Sequence, residues 1–505
     1  MNQRKLRPLS FRDLPSSLLL VLLALGPASL GACASAPQAS SPAEPGAQAT
    51  EGSAEPAQAK PEKTSEPTRT AAAYPSSYKP LPSRPVLITN ATLLTAAGDR
   101  IEGGSLLMRD GKIAAVGPQV QAPADAQVID ARGKWVTPGI IDAHSHLGVY
   151  ASPGVEAHSD GNEATEPVTA DMSAEHALWP QDPQFPLALA GGVTSMLVLP
   201  GSANLIGGLG VTVKNVPGRS AMDMKFPGAP YGLKMACGEN PKRVYGERDR
   251  SPATRMGNIA VTRKAWSEAR DYRRSWDSYR EKADAGKEAT PPARDLEKEH
   301  LAQVLAGEIL VQNHCYRADE MLAMIDLAKE FGYKISAFHH AVEAYKIADV
   351  LAENGICAAM WADWWGFKME AFDGIRENIP LVHRPQGGCA IVHSDSSEGI
   401  QRLNQEAAKA MAAGNRMGLT IRPEDAIRWL TINPAKALGI ADQTGSLEEG
   451  KMADVVIWSG SPFSVYSRTD KVFIDGALVF DRNDPSRQPR TDFALGTVDA
   501  PGVDQ

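Results

Sequence analysis

The stretch VTPGIIDAHSHLGVY, residues 136–150, begins like a buried strand and ends with two histidines. Val136 and Ile140 are typical of a strand, and a Pro-Gly pair between them bends the chain. Because side chains at positions i and i+2 of a strand point to the same face, His144 and His146 project together. Two adjacent imidazoles at a strand end are half of a metal site, although an isolated pair is more often two ordinary histidines. The surrounding sequence therefore has to decide its role.

Composition indicates a folded protein of two or three domains. The chain has 505 residues, of which 43% are hydrophobic and 22% charged, with a formal net charge of −8. This acidic balance argues against nucleic acid as a partner and for solubility. Apart from Cys33, the cysteines show no close CxxC pairing, so the sequence predicts buried, reduced thiols and no disulfide framework at Cys237, Cys315, Cys357 and Cys389.

The N-terminal segment predicts export. Residues 1–33 join a basic start to an apolar run that ends in LGAC, a pattern that resembles the lipobox of bacterial lipoproteins. A simple cleavable signal with an Ala-x-Ala-type site is the alternative. Residues 34–85 are rich in Ala, Pro, Ser and Glu and predict a disordered tether. We therefore expect a periplasmic or cell-surface lipoprotein, anchored in the outer membrane and touching it only through the lipid on Cys33.

The rest of the chain divides into two kinds of pattern. Residues 86–140 and 441–485 alternate short apolar runs with turns, and we expect them to pair as one composite β-sandwich, followed by a tail at 486–505. Residues 141–440 alternate strands with helices, which predicts an α/β fold, a (β/α)8 TIM-type barrel. A charged helical stretch at about 244–300 is predicted to be an insertion outside the barrel. After the strand of the opening stretch, the predicted strands are 194–200, 231–237, 308–315, 334–340, 356–361, 379–384 and 389–395.

Chemically competent side chains collect on these predicted strands. In a barrel of this type the active site is built at the C-terminal ends of the strands. The candidates there are His144, His146, Lys234, His314, His339, His340 and Asp395. The combined pattern is much more specific than any of its parts.

These motifs resemble those of the amidohydrolase superfamily of metal-dependent hydrolases. The matching stretches are VTPGIIDAHSHLG, ALAGGVTS, GLKMA, VQNHCYRADEM, HHAVEAYKIADVLAENGI, IVHSDSS, TINPAKALGI and GSLEEGKMADVVIW, which span about 86–480. Within the superfamily the chain looks most like the imidazolonepropionase-related group. The resemblance implies that His144, His146, His314, His340 and Asp395 bind one or two Zn²⁺ ions, or another divalent metal, and that Asp395 is also the general base.

Two ligand positions stay open within this resemblance. His340 is preferred over His339 because it precedes the small residue Ala341, and strand alternation allows only one of the two to face the metal. GLKMA is similar to the strand of dihydroorotase-like members whose carboxylated lysine bridges two metals, which makes Lys234 a candidate ligand. Glu239 is the competitor, and an ordinary lysine beside a single metal is the third possibility.

The resemblance implies hydrolysis of a C–N bond in an amide, a cyclic amide or a small peptide-like substrate. A deaminase of the same superfamily is one alternative. A degenerate surface binding protein is another, which the filled ligand positions disfavour. His393 is a candidate proton shuttle or supporting residue, and the aromatic-rich loop 361–372 is a candidate substrate wall or a packing element. The sequence allows a homo-oligomer and does not fix the substrate.

Overall fold

A computed structural model describes residues 74–489. The signal peptide, Cys33, most of the predicted tether and the end of the tail lie outside the described residues. Residues 74–85 have no regular secondary structure, yet Ser77 N–H donates to Met222 O at 3.0 Å and the Tyr78 hydroxyl donates to Asp475. The prediction of disorder up to residue 85 is therefore wrong for this last part of the tether.

Sixteen strands and eleven α-helices are present in the described residues. The strands are β1 Val86–Leu93, β2 Ile101–Arg109, β3 Lys112–Gly117, β4 Gln127–Asp130, β5 Trp135–Pro138, β6 Ile140–Ser145, β7 Val193–Val198, β8 Ile206–Lys214, β9 Gly232–Ala236, β10 Leu310–His314, β11 Ile335–His339, β12 Cys357–Met360, β13 Ala390–Val392, β14 Val455–Trp458, β15 Thr469–Ile474 and β16 Ala477–Asp481. The helices are α1 Gln184–Ala190, α2 Ala221–Met224, α3 Glu239–Gly246, α4 Arg255–Asp284, α5 Leu296–Leu305, α6 Ala318–Phe331, α7 Ala348–Glu353, α8 Asn378–His383, α9 Leu403–Arg416, α10 Pro423–Ala426 and α11 Ile432–Ala437.

The two ends of the described chain meet in one sheet. Strands from both ends pair in the order β16-β15-β14-β5-β1-β2-β3, and β4 also pairs with β1. The junction is the antiparallel pair of β5 and β14, in which Val136 faces Ile457. The sequence predicts two stacked sheets, whereas hydrogen bonds join these eight strands into a single mixed sheet. Its apolar side chains, such as Ile88 and Phe473, form a core of their own.

The central strands form a nearly closed barrel in the order β6 to β13. The strands are parallel except β8, which runs antiparallel to both β7 and β9. Sequence analysis missed β8 because its glycines, three within 206–210, suggest a loop. It also predicted a strand at 379–384, where the structure has helix α8. The predicted number of barrel strands, eight, equals the observed number only because one strand was missed and one was wrongly predicted. The expectation that all eight are parallel is wrong at β8.

The predicted insertion at 244–300 is partly a barrel helix. The first half of α4 buries Ala265, Trp266 and Ala269 in the main core, and the Trp266 ring stacks on Tyr333 at 4.4 Å between centroids. Only the second half of α4 and the following chain up to α5 extend over the surface. The expectation that the whole segment lies outside the barrel is therefore wrong.

The four cysteines predicted to be free form two disulfides. Cys237 and Cys315 follow β9 and β10 directly, while Cys357 begins β12 and Cys389 precedes β13. Each pair joins neighbouring parallel strands, with Cα separations of 5.3 and 4.5 Å, which is within bonding reach. Sequence spacing concealed them because the partners are 78 and 32 residues apart.

Among the described residues, no helix has the length and apolar character needed to cross a membrane.

Candidate metal centre

The barrel brings the predicted site residues to one end. His144 lies in β6, Lys234 in β9 and His314 at the end of β10, while His146, His340 and Asp395 follow β6, β11 and β13. Among them, ligand atoms of His144, His340 and Asp395 lie within 4.8 Å of one another. His146 adjoins this group, with its Nε2 at 3.2 Å from both Asp395 Oδ1 and His144 Nε2. His340 Nδ1 lies 3.8 Å from Asp395 Oδ2.

Hydrogen bonds behind the cluster fix the tautomer of His144. The Gln312 Nε2 donates to Ala437 O, which fixes Gln312 Oε1 as the other end of the amide. Gln312 Oε1 accepts a hydrogen bond from His339 Nε2–H at 2.8 Å. His339 Nδ1 is then unprotonated and accepts a hydrogen bond from the His144 Nδ1–H at 2.9 Å. His144 Nε2 therefore presents a lone pair to the site. Both ring nitrogens of His339 are used in this chain, so His339 supports His144 and has no nitrogen free for a metal.

The same reasoning applies to His146. Its Nδ1 lies 2.8 Å from Leu199 O, which only accepts, so Nδ1 carries a proton, and in the neutral ring Nε2 carries a lone pair. Two imidazole lone pairs and the Asp395 carboxylate thus converge on a small region. Such a set of acceptors is unfavourable unless a cation lies among them. These residues fit a divalent metal ion with nitrogen and oxygen ligands.

Two further buried imidazoles have free nitrogens. His314 Nδ1 is 3.0 Å from Ser202 Oγ, while His314 Nε2 and His340 Nδ1 have no hydrogen-bond partner. The two rings lie 4.9 Å apart between centroids. Burial lowers the pKa of both well below the ordinary histidine value, so both are neutral at pH 7. Unprotonated, unpartnered buried nitrogens are the state in which imidazole binds a metal.

The backbone aims His340 at the site and separates it from His339. His340 has a positive φ of 56°, so the chain turns directly after β11 and its ring stacks on Trp361 at 4.6 Å. The His340 N–H donates to His393 Nε2 at 3.4 Å. His393 is buried, which lowers its pKa to about 4. His393 therefore supports the backbone of His340 as a neutral acceptor.

Lys234 and Glu239 occupy different surroundings. Lys234 is fully buried, and its Nζ lies 3.3 Å from His144 Nε2. Burial lowers its pKa to about 7, against the opposing effect of Asp395, so much of the amine is neutral near pH 7. Glu239 begins α3, and its carboxylate lies 3.4 Å from Lys368 Nζ. The geometry thus puts Lys234, and not Glu239, beside His144.

Sequence reasoning missed several residues that position the cluster, among them Asp142, Leu199 and Ser202. Asp142 accepts hydrogen bonds from the His144 N–H and from both the N–H and the hydroxyl of Ser394. Leu199 O and Ser202 Oγ, both in the turn between β7 and β8, contact His146 and His314. The Asp two residues before His144 in IDAHSH was an available signal for Asp142. Nothing in the sequence identifies the turn, because its contacts depend on the unexpected direction of β8.

A cavity of about 340 Å³ opens onto His146 and Asp395. Its walls include Tyr150 and Trp364, which are partly exposed, together with Glu398. Trp364 packs against Trp361 at 4.8 Å, so an aromatic row leads from His340 to the cavity. The predicted aromatic-rich loop therefore contributes to this wall.

Comparisons with known proteins agree with this architecture. Residues 389–479 match the amidohydrolase family model. An amidohydrolase structure from Thermotoga maritima is 39% identical, with a TM-score of 0.72 over 79% of this chain and 100% of that one. The amidohydrolase tasK of Hapsidospora irregularis is 34% identical over 79% of this chain, which spans 43% of its length. An imidazolonepropionase of Mesorhizobium japonicum is 25% identical, over 71% of this chain and 87% of its own. The chain belongs to the amidohydrolase family.

Proposed function

We propose that this protein is a metal-dependent hydrolase of C–N bonds in amides, cyclic amides or small peptide-like molecules. The observation that carries the proposal is the convergence of His144 Nε2, His146 Nε2 and the Asp395 carboxylate at 3.2–3.6 Å, a set of nitrogen and oxygen ligand atoms that fits a divalent ion. Membership of the amidohydrolase family and the similarity to imidazolonepropionases support hydrolysis of a C–N bond.

The proposal assigns a role to each group. His144, His146, His314, His340 and Asp395 would hold one or two divalent ions, with Zn²⁺ the preferred one for this donor set. When bound, such an ion lowers the pKa of water and polarises a substrate carbonyl. Lys234 is the proposed additional ligand, as a carboxylated lysine, because its buried amine is neutral enough near pH 7 to react with CO₂.

Asp395 is the proposed proton carrier. Its carboxylate is about one-quarter exposed at 23% and borders the cavity, so it reaches both the buried imidazoles and the space available to a substrate. It would accept a proton from the attacking water and pass it to the leaving nitrogen. Tyr150 and Trp364 would form the wall against which the substrate lies.

Metal analysis combined with a hydrolysis screen tests the proposal. Purified protein loaded with Zn²⁺ is assayed against dipeptides, N-acyl amino acids and cyclic amides, with aminopurines included to detect a deaminase. We expect one to two equivalents of metal and hydrolysis that is lost on chelation and restored by Zn²⁺. Full activity after exhaustive chelation would overturn the proposed mechanism, and release of ammonia from aminopurines alone would identify a deaminase.

We also propose that the protein is exported and lipid-anchored through Cys33. The support is the resemblance of LGAC to a lipobox and the presence of two disulfides, which persist in oxidising compartments. Replacing Cys33 with Ser should release the protein from the membrane fraction. A Cys33→Ser protein that stays membrane-bound after salt washing would overturn the proposed anchor.

A further inference from the structure

The cavity that opens onto His146 and Asp395 carries a second carboxylate, at its solvent end. This side chain is Glu398, which is exposed and follows Asp395 in the loop after β13. Among the described residues that line the cavity, none is a lysine or an arginine. We call this space the entrance cavity. Its volume of about 340 Å³ has room for an amide group and one side chain of a substrate.

Glu398 is ionised at neutral pH and is held by neutral partners. Its Oε2 accepts a hydrogen bond from Ser396 Oγ at 3.2 Å. Hydrogen bonding by Ser397, and to a smaller extent by Ser396, lowers the pKa of Glu398 below the ordinary glutamate value. Arg402, which is exposed, lowers it by less than either serine. Since serine carries no charge, these hydrogen bonds stabilise the negative charge of Glu398 without cancelling it.

The two carboxylates of the entrance cavity have different surroundings. Asp395 Oδ1 lies 3.2 Å from His146 Nε2, so a divalent ion held at the metal centre would balance the charge of Asp395. Within the described part of the chain, the atoms that converge on that centre come from Asp395 and not from Glu398. The charge of Glu398 therefore stays available to a group of the substrate.

Two exposed aromatic rings line the entrance cavity together with Glu398. Tyr150 is 37% exposed and Trp364 46% exposed. The Tyr150 ring packs edge-on against His146 at 5.6 Å between centroids, and its hydroxyl accepts a hydrogen bond from Asn162. Aromatic rings attract ammonium and guanidinium groups, and a guanidinium also stacks on them. Rings beside an ionised carboxylate are thus a suitable surface for an organic cation.

The chain on the Tyr150 side of the entrance cavity adds to the negative field. Residues 135–213 contain no lysine or arginine. The backbone of Tyr150 pairs with that of Ser159, which brings the segment with the exposed Glu156 and Asp160 next to it. A cleft lined by charges of one sign attracts ligands of the opposite sign and repels those of the same sign. The entrance cavity therefore favours cations over anions.

We propose that the substrate carries a positively charged side chain, an ammonium or a guanidinium, and that Glu398 determines this specificity. The inference rests on the proposed hydrolase function. The amide to be cleaved lies beside His146 and Asp395, and the cation lies beside Glu398, against the rings of Tyr150 and Trp364. A carboxylate in this position would be repelled by Glu398, and a neutral side chain would gain neither the charge attraction nor the cation–π contact.

Binding of three matched amides to the zinc-loaded, full-length protein tests the inference. N-acetylargininamide, N-acetylcitrullinamide and N-acetylglutamic acid α-amide differ mainly in side-chain charge, which is positive, neutral and negative. Ligand-observed NMR titration gives each Kd, and the same spectra show any hydrolysis; for a compound that is hydrolysed, kcat/KM replaces Kd. We expect the arginine compound to be preferred over the citrulline compound by at least about fivefold, and the glutamate compound to be the weakest.

Two variants of Glu398 and one control make the result specific. Glu398→Gln should reduce the preference for arginine over citrulline by about threefold, because the charge is lost while the rings remain. Glu398→Lys should reverse the order, so that the glutamate compound is preferred over the arginine compound. Glu449→Gln changes an exposed glutamate before β14, outside the entrance cavity, and should leave the preference within about twofold. Thermal unfolding checks that each variant folds.

The outcomes separate this inference from the proposed function. Equal preference for the arginine and citrulline compounds, an unchanged preference in Glu398→Gln, or no binding of any of the three would overturn the inference, even if the protein hydrolyses other amides. Binding of the arginine compound that depends on Glu398 would support it. If no amide in the wider hydrolysis screen were cleaved while that binding persisted, the proposed function would be wrong and the cation site would stand.

Discussion

Asp142 and Ser394 join the first and last strands of the barrel. Ser394 donates both its N–H, at 3.2 Å, and its hydroxyl to the buried Asp142 carboxylate. The neighbouring Asp395 N–H donates to His144 O at 3.1 Å. No strand pairing joins β6 to β13, so the barrel is open between them, and we call this gap the seam. These hydrogen bonds cross the seam and hold His144 and Asp395 at a fixed separation. Burial raises the pKa of Asp142 to about 7 despite these donors.

Replacing Asp142 with Ala should loosen this seam. Three donors lose their acceptor, so we expect the free energy of unfolding to fall by about 3 kcal/mol or more and metal affinity to fall by about 10–100-fold. Asp142→Asn keeps an acceptor oxygen and should lose less of both. Chemical unfolding and metal titration measure the two effects. Unchanged metal affinity in a folded Asp142→Ala protein would mean that the seam does not position the ligands.

Replacing Asp395 with Asn should remove the proposed proton carrier with little loss of fold. Asn also tolerates the positive φ of 49° at this position, so stability should stay near normal. We expect kcat to fall by about 10³-fold or more, with a smaller change in KM, because charge and proton acceptor are both lost. Asp363→Asn, at an exposed loop position paired with Lys409, is the matched control. Activity within about tenfold of normal would place the proton acceptor elsewhere, with His393 the next candidate.

Replacing Lys234 with Ala should lower the metal content. If Lys234 is a carboxylated bridge, the variant should hold about one equivalent of metal instead of two, and added short-chain carboxylic acids should restore part of the activity. Glu239→Gln should leave the metal content unchanged, because its carboxylate contacts Lys368 instead of the cluster. Elemental analysis after dialysis measures both. The reverse result would make Glu239 the ligand, and unchanged content in both would indicate a single-metal site.

The two adjacent histidines should differ in effect. His340→Asn removes a nitrogen that points into the cluster, whereas His339→Asn removes a hydrogen-bond partner of His144. We therefore expect metal affinity to fall by about 10–100-fold in His339→Asn and by more in His340→Asn. Competition with a metal-binding dye gives the affinities. Equal losses, or a larger loss in His339→Asn, would contradict the assignment of His340.

Removing either disulfide should lower the stability of the protein, but only one of the two removals should also lower its activity. Loops of 78 and 32 residues each correspond to about 4 kcal/mol of stabilisation in the loop-entropy model. The double variant Cys357→Ala with Cys389→Ala should lose stability but retain activity, because this pair lies at the end of the barrel opposite the cluster. Cys237→Ala with Cys315→Ala should lose both, since Cys315 follows His314. Denaturant unfolding and kcat/KM measure this, and identical activity in both double variants would contradict it.

Much of the fold could be predicted because strand alternation and helix periodicity are local properties of the chain. The strands that carry His144, Lys234 and His314 follow from such patterns. The direction of β8 and the helix at 379–384 could not, because they depend on which neighbours each segment meets. The disulfides and the acceptor role of Leu199 O depend on contacts between distant segments, which spacing does not encode.

The reversed direction of β8 gives the short connection from β7 an unusual position. In a regular barrel the chain leaves the catalytic end through a helix, and such loops vary freely in length. Here a connection of seven residues, 199–205, carries Leu199 and Ser202, whose oxygens lie 2.8 and 3.0 Å from nitrogens of two different imidazoles. Inserting or deleting one residue there would rotate both rings at once. The length of this hairpin is therefore constrained during divergence wherever both imidazoles keep these contacts.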